Sequence, residues 1–531
     1  MDINLPKCGI FINFHCVATT ALWKTKEDVL RNDIRMSQRH SCVTFHHVIG
    51  KAAVKGRCYH GLSITRSVQD NQFCAVNPRF IAVVTECTGG GAFVVISVRH
   101  TGRVSPLHAR VCGHSAPVLD VKWDPFNDLR VASCSEDCTV KVWDIPPNGL
   151  KADLKTPSKD LSAHSRRVSI IEWHPTARDL LLSSAYDCRV LVWRLDCAEV
   201  PVCVINTHSE LVLCLSFNAD GSLLAAACKD KKIRIIEPRT GRVLQEFGCR
   251  SHKVSRVLFL WDLKMLVSTG SSCWNQRQFV LWDLEDLSEP LLEEDLDGGS
   301  GVIFPFYDAD THMLYLAGKG DANIRYYAVS AVKPYVHFLS EYRSPCPQRG
   351  LGVMPKRGLN TSACEIFRFY RLLAVKDLLE PLSFCVPRKQ SEGFQEDIYP
   401  MTAANEPAMT PDEWLMGQNK GPLLMSLRPA AEALGTCPSE TETAADQDAE
   451  QPPDIIADLQ DWTEDDTQSH DWISSRFGLS RGKAPAPETE VPLRQQEEIQ
   501  HLQEQLKQRD ERIRQLELEL MNTRKHMRAS F

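Results

Sequence analysis

One spacing recurs along this chain and restricts what it can fold into. A His is followed 23 residues later by an Asp, and a Trp stands six residues beyond that. The first copy runs Gly113-His114, Asp137, Trp143-Asp144, and the second His164, Asp187, Trp193. A third has His208, Asp230 and Ile236, with a His-to-Asp spacing of 22. A fourth keeps His252 and Trp282-Asp283 without an Asp at the expected place, and a fifth keeps only its end, Asp321 to Tyr327. Within the copies lie short apolar or β-branched runs such as "PVLDVKW", "VASCS" and "TVKVWDI", separated by turn residues, which read as strands.

A period of about 40–50 residues with four strands per unit is the signature of a β-propeller. "CSEDCTVKVWDI" resembles the end of a WD40 repeat almost residue by residue. Strand–turn–strand patterning without the His and Trp continues upstream in "FCAVNPRFIAVVTECTGGGAFVVISV" (Phe73 to Val98) and downstream in "ACEIFRFYRL" and "EPLSFCVP". From about Arg57 to Pro387 there is room for seven blades of roughly 45 residues, five recognisable and two degenerate. The expected fold is all-β: a seven-bladed WD40-type β-propeller, followed by a disordered linker and a C-terminal α-helical coiled coil.

Composition excludes several functions. The 20 cysteines are scattered, the nearest pair being Cys134 and Cys138, so no C-x-x-C zinc spacing exists. Cys134, Cys214 and Cys228 sit in apolar strand-like runs, where a thiol acts as a small hydrophobe, and a reducing compartment is expected. The net charge of −7 is uneven: between Glu432 and Glu490 stand fifteen acids and three bases, leaving about +5 elsewhere. That excess is too small to argue for a nucleic-acid surface. The most apolar run, "CGIFINFHCVATTALW" from Cys8 to Trp23, contains Asn, His and Thr and lacks a small-x-small cleavage site, so neither a membrane span nor a secretory signal is expected.

His114, Ser133 and Asp137, and in parallel His164, Ser183 and Asp187, have the composition of a hydrolase triad. The alternative is a structural network with Trp143 and Trp193, since buried polar groups need partners. Recurrence once per blade favours the network. Ala226 stands at the serine position of the third copy, and no G-x-S-x-G elbow accompanies any of them. No enzyme activity and no cofactor or metal site is expected. Gly89-Gly90-Gly91 precedes a strand rather than a helix, so it reads as a hairpin turn and not a phosphate cradle. Basic residues at Arg166-Arg167 and at Lys229, Lys231, Lys232 and Arg234 precede strands, where propeller-face loops would lie. They are either merely solvated or docking points for an acidic protein surface.

Beyond the propeller, expected over residues 36–387, residues 388–430 read as an extension packed on it. "TPDEW" (Thr410 to Trp414) in that extension carries a helix-capping signal. Residues 431–493 read as an acidic disordered linker. Its stretch "DIIADLQDWTEDD" is either a short binding motif or a solvated tether. Residues 494–531 read as an oligomerising coiled coil, with Ile499, Leu502, Leu506, Ile513, Leu516, Leu520 and Met527 stepping by three and four. Arg509 and Thr523 fall at core positions and weaken the seam. "RIRQLE" places Arg512 and Glu517 around the Ile513/Leu516 pair and resembles a trimer-specifying motif. A homotrimer is favoured, with a dimer second.

These pieces together resemble the coronin family, most closely its second-class vertebrate members. The resemblance rests on "FCAVNPRFIAVVTE", "GHSAPVLDVKWDP", "SRRVSIIEWHPTAR", "DADTHMLYLAGKGDANIRYY", "GVMPKRGL" and "QEDIYP", and covers about Ser37 to Pro429 and the coiled coil. It implies binding to filamentous actin and to the actin-nucleating complex of actin-related proteins, in the cytoplasm and cytoskeleton, with effects on filament turnover and cell motility. Three features depart from the family. Ser63 stands where many coronins carry a filament-binding Arg, with Arg66 three residues later. Met36-Ser37-Gln38-Arg39 resembles the usual start, so residues 1–35 read as an atypical extension dispensable for folding and filament co-sedimentation. "SCVTFHHVIG" replaces the usual "SKFRHVFG", altering the strand expected to close the last blade. The competing reading is a WD-repeat adaptor for a non-actin regulatory complex recruited through the acidic linker.

Overall fold

The computed structural model describes residues 47–429, with breaks at 88, 198–199, 249–251 and 389–392. These residues all fall within the first of the chain's two units, Met1–Gln451. The expected extension at 1–35, the linker at 431–493 and the coiled coil at 494–531, including Ile499, Leu502, Leu506, Arg512, Ile513, Leu516, Glu517 and Leu520, lie outside the described residues.

Seven sheets form the propeller, antiparallel throughout except for one short parallel pair in the last. The chain enters through β1 (Ile49–Ala52) and β2 (Tyr59–His60), which belong to the last blade, and then builds the first blade from β3 (Cys74–Val76), β4 (Phe80–Thr85), β5 (Gly91–Ser97) and β7 (Arg110–His114), while β6 (Gly102–Arg103) returns to pair with β2. Blades two to six are four-stranded meanders: β8 (Val118–Trp123), β9 (Arg130–Ser135), β10 (Val140–Asp144), β11 (Lys159–Leu161); β12 (Val168–Trp173), β13 (Leu180–Ala185), β14 (Val190–Arg194), β15 (Pro201–Ile205); β16 (Val212–Phe217), β17 (Leu224–Cys228), β18 (Ile233–Glu237), β19 (Arg242–Phe247); β20 (His252–Leu260), β21 (Met265–Ser272), β22 (Arg277–Asp283), β23 (Leu292–Asp297); and β24 (Ile303–Asp308), β25 (Met313–Gly318), β26 (Asn323–Val329), β27 (Val336–Arg343). Blade seven joins β28 (Gly350–Val353), β29 (Glu365–Leu373) and β30 (Leu378–Cys385) to β1 and β2.

Pairing of β1 with β30, Ile49 opposite Cys385, closes the ring. The altered start of that segment does not prevent closure, because ladder bonds come from the main chain and Val48 is still buried at the blade six edge, where its carbonyl accepts from Tyr326 Oη. The radial arrangement leaves only the short outer edge of each blade unpaired, which limits edge-to-edge aggregation. The first strand of each blade lies nearest the axis: β3 touches β8 and β28, and β20 touches β16 and β24.

Each interface between blades is a sandwich of apolar side chains. Leu119, Val140, Val168 and Leu191 join blades two and three, and Ala225, Ile233, Val257 and Leu266 join four and five. Between blades six and seven aromatic rings do this work, with Tyr315 stacked on Phe367 at 4.5 Å and set edge-on to Phe384 at 4.9 Å. Those rings explain how a blade without the His and Trp holds its place: aromatic burial substitutes for the missing polar link. The Gly-rich turn is the hairpin between β4 and β5, where Gly89 has φ +81° and a Cβ on Gly91 would lie 2.0 Å from the Ala116 carbonyl.

Because strands alternate direction, the loops entering the innermost strand and those joining the second and third strands share one face, here the first face. The loops after the first and third strands share the opposite, second face. The C-terminal extension occupies the second face. It consists of β31 (Thr402–Ala403), a short helix α1 (Pro411–Leu415) and β32 (Leu424–Met425), which pairs with β31. Thr410 caps α1 through a reciprocal box with Glu413. Trp414 is fully buried between blades three and four, edge-on to His174 at 5.1 Å and under the Arg239 guanidinium at 4.9 Å. Asp412 is held by a two-point hydrogen bond from Arg194 at 2.5 and 2.9 Å, and Tyr399 donates to the Glu365 carbonyl of blade seven at 3.0 Å.

Candidate functional site

The repeated polar residues come together as a relay of donors. Trp143 Nε1–H donates to Ser133 Oγ at 2.8 Å, Ser133 Oγ–H donates to His114 Nε2 at 2.8 Å, and His114 Nδ1–H donates to Asp137 at 2.8 Å. Asp137 also accepts from the main-chain amides of Ser115 and Thr139. His114 ends the outer strand of blade one while Ser133 and Trp143 lie in blade two, so the relay links neighbouring blades. The second set repeats it between blades two and three: Trp193 and His164 each meet Ser183 Oγ at 2.8 Å, and His164 reaches Asp187 at 3.0 Å. Gly113 permits this packing, since a Cβ there would lie 2.7 Å from Trp143 Cη2.

Ser133 and Ser183 are fully buried, and each Oγ already accepts an indole proton. No substrate carbonyl could reach them. Burial pushes the Asp137 carboxyl up, but hydrogen bonds from His114 and Thr139 outweigh it and hold the group far below the usual carboxylate range. Burial also keeps the His164 imidazole below its ordinary value, outweighing the hydrogen bond to Asp187. Sequence reasoning missed one further link of this kind, Trp282 Nε1–H to Ser268 Oγ at 2.9 Å in blade five. Among the described residues no cluster of His, Cys, Asp and Glu has the arrangement of a metal site. The fifteen described cysteines are all free thiols, and burial pushes Cys58 up to about 11, away from reactivity.

The third set is incomplete. With Ala226 at the serine position, both ring nitrogens of buried His208 lack a partner, and Asp230 turns instead to Arg234 at 2.7 Å. Burial first, and then the Arg234 charge, push His208 down from 6.5 to about 4. The folded state therefore resists a proton that the unfolded chain accepts: stability present above about pH 6.5 is lost as pH falls towards 4, on the order of 3 kcal/mol at full extent. His174, pushed to about 3 by burial, acts in the same direction. Urea midpoints are expected to fall steeply between pH 7 and pH 5. Ala226→Ser supplies the missing partner and is expected to add about 1 kcal/mol at pH 7; a lowered midpoint would show that the site has no room for the hydroxyl.

The loop cations form a different constellation. Arg66, Arg166, Arg167, Lys229, Lys231 and Lys232 all lie on first-face loops. Two are engaged within the chain: Arg167 pairs with Glu136 at 3.3 Å and stacks over Tyr186 at 3.8 Å, and Lys232 pairs with Glu246 at 2.5 Å. The side chains of Arg66, Arg166, Lys229 and Lys231 are exposed and make no hydrogen bond or ion pair among the described residues. Arg66 is positioned by a strap, residues 65–72, that crosses the axial mouth. Asn71 donates to the carbonyls of Leu119 and Ser169 in blades two and three, Arg349 to that of Thr65, and Lys319 to that of Val68, while Arg256 bonds the Asp70 carbonyl. Burial lowers the Lys319 ammonium pKa, and the neighbouring Arg349 and Arg256 add to this against Asp70. Nothing local in the sequence announces these partners, which lie about 50 to 285 residues from the strap.

Comparison with known proteins decides the family. Residues 105–144 match the WD domain, G-beta repeat; residues 379–422 match a type of WD40 repeat; residues 171–262 match the anaphase-promoting complex subunit 4 WD40 domain; and residues 39–103 match a domain of unknown function. Over 511 residues the chain is 52% identical to Coronin-2A of Bos taurus, covering 90% of this chain and 97% of that one. The chain belongs to the coronin family. Coronin-2B of Homo sapiens is similarly 52% identical over 487 residues, covering 90% and 95% of the two chains. Among solved structures, the WD40 domain of Toxoplasma gondii coronin superposes with a TM-score of 0.68 at 28% identity, over 72% of this chain and 98% of that one. Coronins are WD-repeat propeller scaffolds, and the buried serine relays of this one are architecture rather than an active centre.

Proposed function

We propose that this coronin is a cytoskeletal scaffold in the cytoplasm that binds filamentous actin through the first face of its propeller. One observation carries the reading. The chain's own extension takes up the second face, while the first face presents Arg66, Arg166, Lys229 and Lys231 with no internal counter-charge bonded to them. Exposed cations without partners favour docking to an acidic protein surface, where complementarity raises the association rate and suppresses wrong partners. Self-association through residues 494–531, as a trimer in preference to a dimer, joins several such faces. Recruitment of the actin-related-protein nucleating complex, and effects on filament turnover and cell motility, follow from bringing filaments and that complex onto one oligomer.

Ser63 leaves one cation fewer near the rim than many coronins have, so each propeller binds weakly and the oligomer matters more. The test is co-sedimentation with filamentous actin at low salt, of the full chain and of a chain ending at Pro492. Binding by the full chain supports the reading; absence of binding by both refutes it.

A further inference from the structure

The ring closes at the junction of blades seven and one, and that junction leaves a cleft. The chain passes there from β6, paired in blade seven, to β7, paired in blade one. Between the crossing segment and the approach to the strap lies a depression of about 220 Å³ whose lining includes Ser63, Thr85, Arg103, Ser105, His108 and Arg110. No Asp or Glu lines it.

The groups that line it are donors. The Arg103 side chain is exposed and has no hydrogen bond or ion pair among the described residues. The Arg110 guanidinium makes a single marginal contact, Nη1 to the Glu86 carbonyl at 3.5 Å, and keeps its remaining N–H groups. Ser105 Oγ accepts from the Leu107 amide, which leaves its O–H to donate, and the Ser63 hydroxyl has no partner among the described residues. His108 donates Nε2–H to the Val95 carbonyl at 3.0 Å, which fixes its tautomer in the neutral ring. Two carboxylates bonded to this region lie outside the lining and accept main-chain amides: Glu86 from Arg66 N, and Asp153 from Arg110 N at 3.0 Å. Two Arg and two Ser residues thus line one small volume with no carboxylate among them.

We propose that this cleft is a binding site for an anionic side chain of a partner protein, presented on an extended acidic segment. A planar guanidinium takes a carboxylate or phosphate oxygen pair through two parallel hydrogen bonds, and hydroxyl donors complete the shell. The volume falls below the roughly 300–1,000 Å³ of small-molecule sites, so it suits one or two side chains of a longer ligand. Ser63, where many coronins carry a filament-binding Arg, lies in this cleft, while Arg166, Lys229 and Lys231 lie on other blades; the site takes an acidic segment whether or not that segment belongs to actin.

Fluorescence anisotropy with a labelled alternating Glu-Gly octapeptide, and with its match carrying phosphoserine at each Glu, tests the site on the full chain. Against Arg103→Gln/Arg110→Gln, at least one peptide is expected to bind about tenfold more weakly than to the unaltered chain. Arg178→Gln/Arg242→Gln removes the same charge from exposed positions of blades three and four and should change binding less than about twofold. Whichever peptide binds more tightly identifies the anion as carboxylate or phosphate. Equal losses in both double variants would overturn the proposal by marking the binding as diffuse electrostatics. So would absence of saturable binding by either peptide, or binding to phosphatidylserine vesicles alone. Exposed Arg103→Gln by itself keeps the test decisive should the double variant fold poorly.

Discussion

Trp143→Ala is expected to destabilise the propeller by about 3–5 kcal/mol, read as a lowered urea midpoint. Trp143 is fully buried, with its ring edge-on to Phe93 at 6.3 Å and to His114 at 6.1 Å. Removing it leaves a cavity against Val111 and Val131 and strips Ser133 Oγ of its indole donor. The relay then loses the group that orients the serine proton towards His114, so the link from blade one to blade two weakens with it. Ser133→Ala tests the same relay from the middle. It leaves the Trp143 N–H and His114 Nε2 buried and unpaired, each costing about 1–3 kcal/mol. A catalytic serine behaves otherwise: its loss removes activity and leaves the midpoint nearly unchanged. Stability unaffected by both substitutions would contradict the architectural role given to the repeat.

The second large effect concerns binding. Removing residues 493–531 is expected to lower apparent affinity for filamentous actin by about 100-fold or more, with no change in the propeller's urea midpoint. Linking faces makes the second contact intramolecular, at an effective concentration set by the tether. If residues 431–493 are the tether we propose, their reach of roughly 5–6 Å times the square root of their number lets neighbouring propellers meet separate sites on one filament. Fusing an unrelated trimeric coiled coil in place of 494–531 should restore binding. Failure of that rescue would show that the tail acts by direct contact instead of by multiplying weak ones.

What was legible in the sequence was what repeats or is local. The Trp143 and Trp193 relays could be read because one unit recurs, and the α1 capping box because Thr410 and Glu413 stand three residues apart. The missing relay partner was visible too, as Ala226, though its consequence for His208 needed the burial of both ring nitrogens. What could not be read was non-local. Ring closure pairs Ile49 with Cys385, the strap is pinned by Arg256, Lys319 and Arg349, and Trp414 fills a gap beside Gly221 of blade four. The loop cations could be found but not sorted: only the positions of Glu136, Tyr186 and Glu246 remove Arg167 and Lys232 from the free set. The cleft at Arg103 and Arg110 had no signal, since strands from two blades must meet before it exists.

The most direct measurement is filament co-sedimentation of the full chain carrying Arg66→Glu, Arg166→Glu, Lys229→Glu and Lys231→Glu together. These side chains are exposed and unpaired, so the urea midpoint should stay within about 0.5 kcal/mol of the unaltered chain for each position changed. The account predicts that binding at low salt falls at least tenfold and that the remaining binding loses its salt dependence. Binding unchanged in a normally folded variant would contradict the claim that the first face carries the filament contact.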